Sequence, residues 1–177
     1  MIRRRALLAT GLGASAALAA PRARAQTPTI TLGVLNDMSG PYRDTGGATS
    51  IVCVKQAVED FGDHGFKVEV ISADHQNKPD IGAGIARQWF DRDGVDAIVD
   101  VPTSSVALAV NSVIREKNKV FLNSGAGTAD LTGAQCSPNT VHWTYDTYML
   151  AKSTGGAMAK AGGDTWYFIT ADYVFGQ

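Results

Sequence analysis

The sequence predicts an α/β protein whose core is a doubly wound parallel sheet. Two observations carry that reading. Short apolar runs recur at Ile30 to Leu35, Phe66 to Ala73, Ala97 to Val101 and Lys119 to Leu122, dense enough for strands buried on both faces. Between them lie longer segments with helical spacing, the alternation that βαβ units require.

In chain order, Ile30-Thr31-Leu32-Gly33-Val34-Leu35 is the first strand, and Asn36 to Tyr42 is a cluster of turn formers. Asp44 or Thr45 can cap a helix running to about Phe61, with Ile51, Val54, Val58 and Phe61 as its buried stripe. Cys53 lies among apolar residues of that helix and is expected to be a buried thiol. Gly62 and Gly65 punctuate the exit, and Phe66 to Ala73 is the second strand. Pro79 suits the first turn of the next helix, where a missing N–H costs little. Ile81, Ile85 and Trp89 share a face of that helix, which ends near Arg92-Asp93-Gly94. After the third strand Pro102 stops the ladder, Thr103-Ser104-Ser105 supplies hydroxyls, and Val106, Leu108, Ala109, Val110, Val113 and Ile114 follow helical spacing. Lys119 to Leu122 is the fourth strand, leaving into Asn123 to Thr128, and Thr140 to Thr144 is a short fifth. Met149 to Ala161 is helical, and Thr165 to Thr170 reads as a last strand without a helix to cover it.

The first 25 residues have a different character. Arg3-Arg4-Arg5 is a positive start, Ala6 to Ala20 is apolar and small, and Ala23-Arg24-Ala25 fits a cleavage site. Residues 1–25 are therefore expected to be an export signal, and the paired arginines permit a twin-arginine route. Five of the 16 basic residues and none of the 17 acidic ones lie there, so the remainder carries 11 basic against 17 acidic residues. A net charge of −6 gives no electrostatic case for nucleic acid or anionic membrane as partner. Two cysteines are too few for a disulfide framework, and Cys136 sits in a polar loop.

Turns after successive parallel strands share one edge of a sheet. Here they carry Asp37, Ser39 and Tyr42, then Thr103, Ser104 and Ser105, then Gly125, Ala126, Gly127 and Thr128. Hydroxyls and accessible N–H groups of this kind can hold a carboxylate or polar head without supplying a general base. A catalytic reading finds little: Gly125-Ala126-Gly127 lacks the third glycine of a dinucleotide fingerprint, and there is no P-loop, nucleophile elbow or zinc-protease motif. His64, His75 and His142 are dispersed, and the cysteines lack zinc spacing. Asp37, Asp74 and Asp100 end strands, where turn formation and capping are their ordinary roles. No enzyme, cofactor or metal is predicted.

Five ordered motifs carry a family resemblance. Leu32 to Tyr42 resembles the opening of type I periplasmic solute-binding proteins, specifically the Leu/Ile/Val-binding family of ABC importers. Asp74…Pro79…Ala83 is similar to its second unit, Val101-Pro102-Thr103-Ser104-Ser105 and Asn123 to Thr132 to its two ligand-contacting loops, and Asp172-Tyr173-Val174-Phe175-Gly176 to the opening of its second lobe. The resemblance implies two α/β lobes closing on a ligand, with residues 26–145 as the N-terminal lobe and residues 146–177 as the hinge crossing and truncated start of the second, of a chain about twice this length. It implies that Thr103 and Ser104 hold the ligand carboxylate, Ala126 offers a carbonyl and Thr128 a hydroxyl to the polar end, and Tyr42 stacks from the first turn. Tyr173 or Phe175 would stack from the second lobe. Thr128 equally suits a helix cap. The implied protein is a periplasmic monomer when full length, with a small-molecule carboxylate as ligand and a membrane permease as partner. A sensory or regulatory ligand-binding domain of the same fold is the alternative class, with an exported enzyme a distant third.

Overall fold

The computed structural model describes residues 27–177, and the export signal expected over residues 1–25 lies outside the described residues. Five strands, β1 (Thr29–Asn36), β2 (Lys67–Asp74), β3 (Ala97–Asp100), β4 (Val120–Asn123) and β5 (Thr140–His142), form one parallel sheet in the order β2-β1-β3-β4-β5. Helices α1 (Gly47–Phe61), α2 (Pro79–Gln88) and α3 (Ser104–Lys117) make the crossovers, as the alternating pattern predicts. A π-helical turn, Trp89–Asp93, extends α2 to Gly94, whose φ of 70° needs the freedom of glycine.

The two faces of the sheet are covered unequally. On one, α2 and α3 pack together, and Val106, Ala107, Val110, Val113 and Ile114 of α3 join Leu35, Ile98 and Phe121 in a closed core. Trp89 lies so close over β1 that a Cβ at Gly33 would sit 2.4 Å from its Cζ3. On the other face α1 packs against β1 and β2. Its expected stripe is shallow: Ile51, Val54 and Val58 are half-buried and Phe61 is exposed. Cys53 is exposed rather than a buried thiol, because it falls on the solvent side of α1, beside exposed Val52.

The region after β5 departs from the expected pattern. Helices α4 (Thr147–Leu150) and α5 (Gly156–Lys160) are joined by a π-helical turn, Ala151–Gly155, and none of their residues is buried. Asp146 caps α4 by accepting from the Met149 N–H at 2.7 Å. The strand expected over Thr165 to Thr170 does not form: the segment is irregular, with Tyr167 95% and Ile169 101% exposed. A strand needs a neighbour to take its backbone hydrogen bonds, and this segment pairs with none of the five. Among the described residues no helix is long and apolar enough to cross a membrane.

Candidate ligand-binding site

Because β1 connects to β2 on one side while β3 lies on its other side, the turns leaving β1 and β3 diverge. In open parallel sheets a crevice forms at such a point, outside the carboxyl ends of the strands. A cleft of about 500 Å³ opens there, walled by Tyr42, Gly46, Asp100, Pro102, Gly125 and Tyr145. Tyr173 and Phe175 close it from the C-terminal end of the chain.

Each turn at this edge is held by a buried or partly buried polar side chain. Asp37 folds the β1 turn back on itself, accepting from the N–H groups of Gly40 at 2.6 Å and Tyr42 at 2.9 Å, and so sets the root of Tyr42. Asp74 ties the β2 exit to that turn, accepting from the Met38 N–H at 3.0 Å, the Ser39 hydroxyl at 2.6 Å and the Gln76 N–H at 2.7 Å. Burial acts to raise the Asp74 pKa, but these three donors outweigh it and hold the carboxyl below its usual value of 3.8. Asp37 and Asp74 thus perform the turn-forming role expected of them.

The β3 exit is strained. Asp100 and Val101 have φ of 76° and 58°, a left-handed conformation that is an outlier for a β-branched residue and costs on the order of 1–3 kcal/mol. Asn123 braces this kink from β4, donating from Nδ2 to the carbonyls of Asp100 at 2.7 Å and Val101 at 3.1 Å while its Oδ1 accepts from the Ala126 N–H at 3.0 Å. The Asp100 carboxylate accepts from Asn36 Nδ2 at 2.9 Å and from the Ser124 hydroxyl at 2.8 Å, joining the turns after β1, β3 and β4.

His75, at the end of β2, is fully buried; its Nδ1 accepts from the Asn77 N–H at 3.0 Å, which leaves the proton on Nε2. Burial pushes its pKa below the ordinary 6.5, against the opposing pull of the Asp37, Asp74 and Asp100 carboxylates.

The residues singled out from sequence fall into two groups. Tyr42, Tyr173 and Phe175 come together at the cleft: the Tyr42 and Tyr173 hydroxyls are 3.1 Å apart, and the Tyr173 and Phe175 ring centroids 6.1 Å. Burial and the hydrogen bond with Tyr42 raise the Tyr173 pKa, so this phenol stays protonated. Thr103 and Ser104 sit at the N-terminus of α3, beside Pro102, only 2% and 1% exposed, and their buried hydroxyls have no partner. Ala126 is buried, and its carbonyl is engaged by His142 Nε2 at 2.5 Å. The Thr128 hydroxyl accepts from the Asp130 N–H at 3.3 Å and caps the short 3-10 helix Ala129–Leu131. None of these four lines the cleft wall.

Asp100 and Tyr145 are cleft residues that sequence reasoning did not select. The available signal for Asp100 was its position as the last residue of β3, opposite a turn rich in small residues. Among the described residues no group of three or more His, Cys, Asp or Glu converges as metal ligands would.

An exposed crevice at a parallel sheet's switch point, walled by aromatics and small-residue turns, is where open α/β sheets take their ligands. The family model described as periplasmic binding protein matches residues 29–177, and this chain belongs to that family. Its fold is that of a periplasmic binding protein from Burkholderia mallei, 51% identical with a TM-score of 0.79 over 84% of this chain and 40% of that one. A branched chain amino acid ABC transporter periplasmic ligand-binding protein from Burkholderia xenovorans LB400 is 39% identical, TM-score 0.74, over 83% of this chain and 40% of its own. An ABC transporter solute binding protein from Rhodopseudomonas palustris BisB5, in complex with 3,4-dihydroxy benzoic acid, is 27% identical, TM-score 0.72, over 84% and 40%. The Leu/Ile/Val-binding protein homolog 4 of Brucella abortus is 25% identical over 96% of this chain and 43% of its length. The chain thus spans less than half the length of these relatives.

Proposed function

We propose that this chain supplies the first lobe of an extracytoplasmic solute-binding subunit of an ABC importer. It holds a small carboxylate, a branched-chain amino acid or a related amino or aromatic acid, without transforming it. Residues 26–145 form the N-terminal lobe; residues from 146 onward cross the hinge and begin a second lobe that closes over the cleft. Residues 1–25 direct export to the periplasm, and the closed monomer is presented to a membrane permease. The observation that carries this reading is the N-terminus of α3. Two buried hydroxyls without partners, on Thr103 and Ser104, stand at the positive end of a 14-residue helix beside the cleft residue Pro102. A carboxylate reaching past Pro102 would satisfy both the hydroxyls and the free N–H groups of the first turn.

Thermal melts of the full-length protein against branched-chain amino acids and aryl carboxylates test this. A cognate ligand at about 100 times its Kd contributes about 2.7 kcal/mol and raises Tm, with no product formed. No shift with any member of the panel, or turnover of one, contradicts the reading. Residues 26–177 alone, lacking the opposing lobe, are expected to bind far more weakly; micromolar binding by them would contradict closure.

A further inference from the structure

Thr103 stands at the N-cap of α3 yet caps nothing. A threonine there ordinarily accepts from the second or third N–H of its helix, here those of Ser105 and Val106. The Thr103 hydroxyl makes no such bond and has no other partner, although it is buried. The backbone leading into this open helix end is held against its preference. Val101 is fully buried, β-branched and followed by Pro102, and the last two properties both favour extended backbone; its φ is 58°.

Asn123 is what holds that backbone. It is fully buried at the end of β4 and is not part of the cleft wall. Its Nδ2 donates to the Asp100 and Val101 carbonyls and its Oδ1 accepts from the Ala126 N–H, so both ends of the amide are spent on backbone. One side chain thus fixes the β3 exit, which feeds Thr103 and Ser104, and the β4 exit, which walls the cleft through Gly125 and Gly127. The two exits press together: a Cβ on Gly125 would lie 2.9 Å from the Pro102 Cα.

We infer that Asn123 is a positioning residue: by pinning the Asp100–Val101 kink, it keeps the N-terminus of α3 uncapped and receptive to a ligand's carboxylate. This rests on the reading of that helix end as a carboxylate site. Without the brace Val101 returns to extended backbone, and the chain through Pro102 turns with it. The Thr103 hydroxyl then swings onto the first-turn N–H groups and satisfies the helix end from within. Apparent affinity falls with the fraction of molecules that keep the open end.

The test is calorimetric titration of the full-length protein with L-leucine, L-valine, benzoate and 4-hydroxybenzoate, repeated on variants with whichever binds the parent. Asn123→Ala should weaken binding at least about tenfold. In a Val101→Gly background, where positive φ carries no steric penalty, the same substitution should cost about threefold or less. A side chain that only stabilises the fold would give equal losses in both backgrounds. Three-bond couplings and backbone carbon shifts should place Val101 at positive φ in the parent and at negative φ in Asn123→Ala. Asn123→Ser, with one proton to donate where two carbonyls need one each, takes over if Asn123→Ala does not fold. If no variant folds, the parent's couplings decide: positive φ at Val101 with and without ligand supports the inference. Negative φ in the ligand-free parent, unchanged binding in a folded variant, or equal losses in the two backgrounds overturns the positioning role while leaving the carboxylate reading intact. Absence of binding by all four compounds removes both.

Discussion

Helices α1 and α3 are nearly equal in length, 15 and 14 residues, yet α3 buries eight of its residues and α1 only Gly47. The two sit on opposite sides of one sheet, so the difference lies in what each side chain meets. The α3 side has α2 and Trp89 packed over the strands, whereas α1 packs on β1 and β2. The densely packed side also carries the strained β3 exit, which lines the cleft, and the N-terminus of α3 next to it. Stability is unevenly distributed in such a structure, and the α1 side is expected to open first.

The largest test of this contrast is Phe121→Ala. It empties a fully buried site under α3 and should cost about 3–5 kcal/mol by urea denaturation. Gly33→Ala should follow at about 1–3 kcal/mol, because its new Cβ must displace the Trp89 ring. Val58→Ala, half-buried on α1, should cost less than about 1.5 kcal/mol, and Cys53→Ser should fall within about 0.5 kcal/mol of the parent. A Val58→Ala penalty matching that of Phe121→Ala would erase the asymmetry.

Two pH effects sharpen the picture at the site edge. The folded pKa of His75 is depressed, so between that value and 6.5 the unfolded chain holds a proton the folded chain lacks. Stability should therefore be full above pH 6.5 and fall as pH drops below it, and His75→Gln should flatten that slope in denaturation measured from pH 7.5 to 5. The Asp74 carboxyl is also held low, so its contribution is present above pH 3.8 and is lost as pH falls below that value through the depressed one. Asp74→Asn should remove a smaller slope confined to that acid range.

Much of the sheet was legible in the sequence because parallel strands buried on both faces appear as continuous apolar runs. The first four strands lie within a residue or two of the expected runs, and Pro79 marks the start of α2. Thr165 to Thr170 misled for a physical reason: aromatic and β-branched residues favour a pleated, half-buried surface, and here no neighbouring strand supplies one. Cys53 misled because an apolar neighbourhood in sequence does not fix which face of a helix a residue occupies. Tyr42, Tyr173 and Phe175, which the resemblance singled out, meet at the cleft although Tyr42 and its hydrogen-bond partner Tyr173 are 131 positions apart. Asp100 was not, since a carboxylate at a strand end is most often a turn former. Only the left-handed backbone and the hydrogen bonds from Asn36 and Ser124 distinguish it.

Ligand is expected to bind at the switch point between β1 and β3. The direct measurement is an NMR titration of the isotopically labelled full-length protein with the ligand that raises its Tm. Saturable shifts are expected at the amides of Gly46, Ser104, Gly125, Gly127 and Tyr145, with α2 and the outer face of α1 unmoved. Saturable shifts confined to residues away from the carboxyl edge of the sheet would contradict it.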